Sequence, residues 1–161
     1  MGFVDSFINS LRLPKKEAMF HLNRKGIIHT ILYVFLLLVV LFLPDLIRML
    51  LNLEASADEG TSRGLLIIQV LVFYPGFVIF MILVSVSIFA GCGLLMRTWL
   101  NRKLTYQQLW KLTVYAATTP LIIVTVLNMT PLNEWMVALL FISTLLFLLL
   151  RMIQIYPKRT S

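Results

Sequence analysis

The chain has 161 residues, 60% hydrophobic and only 13% charged, so it lacks the polar surface to cover a soluble globule and has room for one bundle. Its net charge of +7 would suit a nucleic-acid binder if the cations formed one patch, but they are sorted along the sequence instead. Four apolar runs, Ile27–Leu43, Leu65–Met96, Leu112–Leu127 and Trp135–Leu150, are each long enough to be tested against a bilayer core of roughly 30 Å.

Read as transmembrane helices, these runs place twelve of the fourteen cations on one face with Asp5 and Glu17, giving +10 there. The other face holds Arg48, Arg63, Asp45, Glu54, Asp58, Glu59 and Glu134, giving −3. The positive-inside rule makes the basic face cytoplasmic, with both termini there, in a multi-pass cell-membrane protein. Short basic segments beside apolar helices meet the negative inner leaflet, at on the order of 1 kcal/mol per cation, so anionic lipid is the expected partner and nucleic acid is not. Cys92 is alone, which leaves no internal disulfide and no cysteine-based zinc site. Residues 1–26 have no continuous apolar core, so no cleaved signal peptide is expected and the first span is its own insertion signal.

Residues 1–25 read as a cytoplasmic interfacial segment. Phe3, Phe7 and Leu11, with Val4 and Ile8 beside them, form an apolar stripe opposite Asp5, Asn9 and Arg12. The predicted amphipathic helix ends at Pro14, and its stripe has two uses open to it: the acyl-chain boundary or the protein's own bundle. The transmembrane helices are predicted over about 26–50, 65–96, 106–128 and 132–155. Residues 52–63 form an outer loop too short for a domain.

The second run, at 32 residues, would reach roughly 48 Å and cannot be one straight buried span. Pro75-Gly76 offers the bend, so either a kinked helix forms or Leu65–Tyr74 lies along the interface. Ser87 and Gly91 make a small-xxx-small pattern with Gly93 beyond it, which permits close helix packing, within the chain or between copies. Thr105 and Gln108 fit a capping box that starts the third helix near Tyr106. Thr118-Thr119-Pro120 interrupts that helix, as a packing bend or as a hinge, and a threonine hydroxyl can satisfy the carbonyl that proline frees. Thr130-Pro131 reads as a cap and first position for the fourth helix.

No ionisable side chain lies well inside any run, which argues against a monomeric proton-coupled carrier. Ser85, Ser87 and Ser143 have no buried base to activate them, and His21 and His29 have no partner ligands, so no catalytic residue, metal or cofactor is expected. The polar residues Gln69, Tyr74, Tyr115, Thr118, Thr119 and Asn128 either line an outward groove or bond to backbone carbonyls.

Two stretches carry a resemblance: Ser10-Leu-Arg-Leu-Pro-Lys-Lys with Gly26-Ile-Ile-His-Thr-Ile-Leu-Tyr-Val-Phe-Leu-Leu, and Leu104-Thr-Tyr-Gln-Gln-Leu-Trp-Lys-Leu-Thr-Val-Tyr-Ala-Ala-Thr-Thr-Pro. They resemble an uncharacterised family of membrane proteins of Bacillus-type bacteria, some labelled maltodextrin-utilisation proteins. More distantly, the basic lead-in and proline-bearing middle helix resemble the Yip family of polytopic adaptors. The first family implies no catalytic residues, and its members often carry a larger outer segment than residues 52–63.

The expected fold is therefore all-α, a polytopic four-transmembrane-helix bundle with an amphipathic amino-terminal interfacial helix. The expected role is a non-catalytic accessory or scaffold protein pairing with another membrane protein or with itself. Arg12, Lys15, Lys16, Arg24, Lys25, Arg102 and Lys103 are the candidate headgroup contacts, and Pro75, Gly76, Ser87, Gly91, Gly93, Thr119 and Pro120 the candidate packing and kink positions. The alternative is an oligomeric channel, lipid scramblase or small-solute transporter subunit with its path near Thr118, Thr119, Pro120, Gln69 and Tyr74.

Overall fold

The computed structural model describes residues 2–56, 68, 72–128, 130 and 132–158. Its helices are α1 (Phe3–Leu11), α2 (Lys16–Asn23), α3 (Ile27–Ser56), α4 (Tyr74–Trp99), α5 (Tyr106–Ala116), α6 (Thr118–Leu127) and α7 (Glu134–Ile155), with no strand among the described residues. Four segments are long and apolar enough to cross a membrane: Ile27–Pro44, Gly76–Trp99, Tyr106–Leu127 and Glu134–Ile155.

The core is concentrated at the basic end of the bundle, and α5 is its axis. Every residue from Lys111 to Thr118 is buried, on all sides of the helix. A helix buried all round needs neighbours all round, and α5 packs against α1, α2, α3, α4 and α7. Leu109, Leu112 and Val114 meet Met19 and Leu22 of α2, Val34 and Leu37 of α3, and Leu149, Met152 and Ile153 of α7 in one core. Toward the opposite end the helices present Val40, Leu43, Phe77, Phe80, Leu139 and Leu140 outward.

The amino-terminal segment holds two helices where one was expected. After Pro14 the chain resumes as α2, whose Ala18, Met19 and Leu22 are buried at helical spacing. In α1 the serines go inward: Ser6 and Ser10 are buried, and Phe3 and Phe7 pack against the core. Val4, Ile8 and Leu11 remain exposed, so only part of the apolar stripe packs on the bundle. Helix α3 runs through Pro44 and past Asn52 to Ser56, shortening the expected outer loop at its start. Proline withdraws one rung of the ladder, which a long apolar helix tolerates.

In α4, Pro75 stands in the first turn, a position that proline's fixed backbone angle suits. The choice between spanning and interfacial placement for Leu65–Tyr74, together with Arg63 and Gln69, falls on residues 57–67 and 69–71, outside the described residues. The capping box is present: Gln108 N donates to Thr105 Oγ1 at 3.3 Å and Thr105 N to Gln108 Oε1 at 3.0 Å. The third span divides at Ala117, because Pro120 has no N–H to offer the Ala116 carbonyl four residues back. The fourth helix starts at Glu134 with Asn133 as its cap, Asn133 Oδ1 accepting from Trp135 N at 3.1 Å. Thr130 instead donates back to the Leu127 carbonyl at 2.6 Å, closing α6.

Among the small residues of α4, Gly93 permits the closest approach. A Cβ there would lie 3.3 Å from Leu109 Cδ2, whereas one at Gly91 would meet nothing within 4 Å. Gly93→Val is therefore expected to lower stability by about 1–3 kcal/mol through overpacking, with Gly91→Val close to neutral. Thermal unfolding of the two variants in the same detergent checks this difference.

Candidate functional site

Burying α5 on every side forces its polar side chains to find partners inside the protein. Tyr115, together with Thr118 at the start of α6, does so across to α3. Thr30 Oγ1 and Tyr115 Oη share a hydrogen bond at 3.1 Å, and Tyr33 Oη and Thr118 Oγ1 share one at 2.8 Å. The two tyrosine rings lie 5.0 Å apart at 44°, and Phe3 of α1 covers Tyr33 at 5.4 Å. Thr118 thus does not serve the carbonyl freed by Pro120, and neither Tyr115 nor Thr118 lines either of the two larger clefts. Thr113 satisfies itself locally, donating to the Leu109 carbonyl at 2.8 Å.

Lys111 is the charged member of this set, and it is 8% exposed. Its Nζ donates to the Lys25 carbonyl at 2.9 Å and to the Asn23 carbonyl, so the ammonium closes the carbonyl end of α2. The next turn of chain is held from the other side: Lys25 Nζ donates to Asp5 Oδ2 and to Ser6 Oγ, both at 2.8 Å. Asn23 Nδ2 donates to Tyr156 Oη at 2.7 Å, tying α2 to the end of α7. Burial holds the Tyr156 phenol above its ordinary range, with the Asn23 bond acting the other way. Arg102 donates to the Tyr156 carbonyl, Lys103 N to the Pro157 carbonyl at 3.1 Å, and Arg97 to the Leu104 carbonyl.

Two clefts flank this core. The first, about 570 Å³, is walled by α1, α2 and the start of α3, with His21, Arg24, Lys25 and His29 around it and Leu32 and Leu36 below. The second, about 480 Å³, separates α4 from α6 and α7 beyond the Ala117 break. Val86, Phe89, Phe141 and Leu145 line it, Phe89 and Phe141 meeting edge to face at 6.4 Å, and Ser85, Asn128 and Glu134 add polar groups.

Of the candidate headgroup residues, Arg12, Lys15, Lys16, Arg24 and Lys103 are exposed. Lys25 and Arg102 are partly buried and donate within the protein. Gly93 and Pro120 are buried, Thr119 is half-buried, and Gly76 and Ser87 are exposed. Ser87 Oγ donates to the Leu83 carbonyl at 2.8 Å and accepts from Trp110 Nε1 at 3.3 Å. Sequence reasoning missed the pairing of Tyr33 and Thr30, residues 85 positions from their partners, and the inward use of Lys111. Among the described residues no three metal-ligating side chains cluster.

Tyr33→Phe and Thr118→Val each leave one hydroxyl of a buried pair without its partner. Compared with the double variant, they are expected to show a coupling of about 0.6 kcal/mol, reaching about 1.7 at most, the range for hydroxyl pairs between membrane helices. Reversible denaturation in mixed micelles measures it. The hydrogen bond from Lys25 holds the Asp5 carboxyl below its ordinary range, against a smaller opposing effect of burial. A lowered pKa contributes stability that is complete above the ordinary carboxylate value near about 3.9 and is lost as pH falls through the lowered one. Asp5→Asn is expected to remove that acid-side loss, read as a flatter unfolding midpoint between neutral and acid pH.

No curated protein and no solved structure matches the chain. A family model does, over residues 52–154, from the end of α3 through α7 and so including the α5 axis and the Ala117 break. With more than half its length matched, the chain belongs to the DUF1189 family, described as a protein of unknown function.

Proposed function

We propose that this chain is a non-catalytic accessory or scaffold protein of the bacterial cell membrane, pairing with another membrane protein while its basic end rests on anionic lipid. In this reading the four spans cross the bilayer, the basic end and both chain ends face the cytoplasm, and α1 lies in the interface with Val4, Ile8 and Leu11 among the acyl chains.

The observation that carries this reading is the cleft between α4 and α6–α7. Its apolar walls include Ile82, Phe89, Leu121, Val124 and Phe141, and the chain's own side chains leave it open. A partner helix with small residues on one side would fit against these walls, and Asn128, Glu134 and Ser85 offer it polar contacts. The resemblance to Yip-type adaptors, and to bacterial membrane proteins carrying a maltodextrin-utilisation label, supports an adaptor role. A transport path through Thr118 has less support, because that hydroxyl is committed to Tyr33 in the core.

Captured by a carboxyl-terminal tag in a lipid-preserving system, the protein is expected to bring down a second membrane protein in stoichiometric amount. Ala138→Phe, which fills the cleft from an exposed position on α7, is expected to reduce that capture severalfold without lowering the unfolding midpoint. A lone homo-oligomer whose reconstituted vesicles pass ions, sugars or labelled lipid would contradict the scaffold reading and favour the transport class.

A further inference from the structure

We propose that the cleft walled by α1, α2 and the start of α3 is a binding site for one anionic phospholipid, its phosphate held by Arg24 and His29 and one acyl chain laid along Leu32 and Leu36. The inference rests on the membrane-embedded reading above and not on the identity of any protein partner.

Charge and position both select this occupant. At about 570 Å³ the cleft is within the range of small-molecule sites, roughly 300–1,000 Å³. Around its mouth the donors outnumber the acceptors. Arg24 and His29 are exposed, and no hydrogen bond to either side chain is made among the described residues. Lys25 has two of its three N–H groups on Asp5 and Ser6, leaving the third open. Asp5, the carboxylate that Lys25 reaches, is already engaged: it accepts from Lys25 at 2.8 Å and from Asn9 at 3.0 Å, and Glu17 on α2 does not line the cleft. An incoming phosphate thus meets open donors and no free carboxylate.

Below this rim the site turns apolar. Leu32 and Leu36 lie one and two turns beyond His29's side of α3, Leu36 roughly 10 Å further along the axis than His29 at 1.5 Å per residue. Exposed Val39 and Leu43 continue the same stripe away from the basic end. A soluble phosphate would use only the rim. A phospholipid uses both parts, and the order of the parts, cations at the helix start and leucines beyond it, matches a lipid standing in the leaflet next to α3.

The test uses the full chain in neutral detergent, with retained lipid counted by native mass spectrometry. Phosphatidylglycerol is expected to bind at one copy about tenfold more tightly than phosphatidylcholine, and Arg24→Gln with His29→Gln to erase the difference. Arg151→Gln with Lys158→Gln, exposed cations away from the cleft, is expected to leave it unchanged. Glycerol 3-phosphate at millimolar concentration is expected not to displace the lipid. A phosphatidylglycerol carrying a photoreactive acyl chain is expected to label the peptide containing Leu32 and Leu36 in the unaltered protein, a readout independent of any variant's folding. Equal retention of the two lipids, an unchanged preference in the Arg24 and His29 variant, equal loss in the Arg151 and Lys158 variant, displacement by glycerol phosphate, or labelling confined to other helices would each overturn the proposal. Release of the protein from membranes by alkaline carbonate would instead contradict the embedded reading, and absence of a protein partner with lipid still bound would contradict only the scaffold role.

Discussion

The structure depends on the burial of one helix whose sequence is not apolar. From Lys111 to Thr118, the end of α5 and the start of α6 carry an ammonium, two threonines and a tyrosine among their buried residues. An unpaired polar group in such a place costs about 1–3 kcal/mol, and an unpaired charge more, so the neighbours of α5 are constrained in chemistry as well as in shape. Thr30 and Tyr33 must face it from α3, and the carbonyl end of α2 must come to Lys111. These partners set the rotation of α3 and bring the amino-terminal segment onto the bundle.

This arrangement makes the two ends of the molecule unlike. At the basic end, α1 and α2 add a layer over α5 and α7, tied by Lys25 to Asp5 and by Asn23 to Tyr156. At the other end the Ala117 break carries α6 away from α4, and the space between them stays open. The fold thus combines a closed, hydrogen-bonded base with an apolar cleft toward the opposite end, the division on which the proposed scaffold role rests.

What could be read from the sequence was local. The four long apolar helices followed from run length and hydropathy, and the start of α5 from Thr105 and Gln108, three residues apart. The third span's interruption followed from Pro120, whose effect is confined to its own helix. The missing parts were non-local. Tyr115 and Thr118 look like groove-lining residues until Thr30 and Tyr33 are placed opposite them, and nothing in either stretch announces a partner 85 positions away. Lys111 fits a rim cation by position, and only the approach of α2 turns it inward. The second amino-terminal helix did leave a signal in Ala18, Met19 and Leu22, but its eight residues are too few to stand out beside the apolar runs.

The claim that Lys111 fastens the amino-terminal layer to α5 is tested most directly by hydrogen–deuterium exchange of the protein in lipid nanodiscs, comparing it with Lys111→Met. The α2 amides are expected to be protected in the unaltered chain and to exchange faster in the variant, while those of α7 are unchanged. Exchange of α2 as fast as an unstructured segment in the unaltered chain, or protection indifferent to the loss of Lys111, would contradict it.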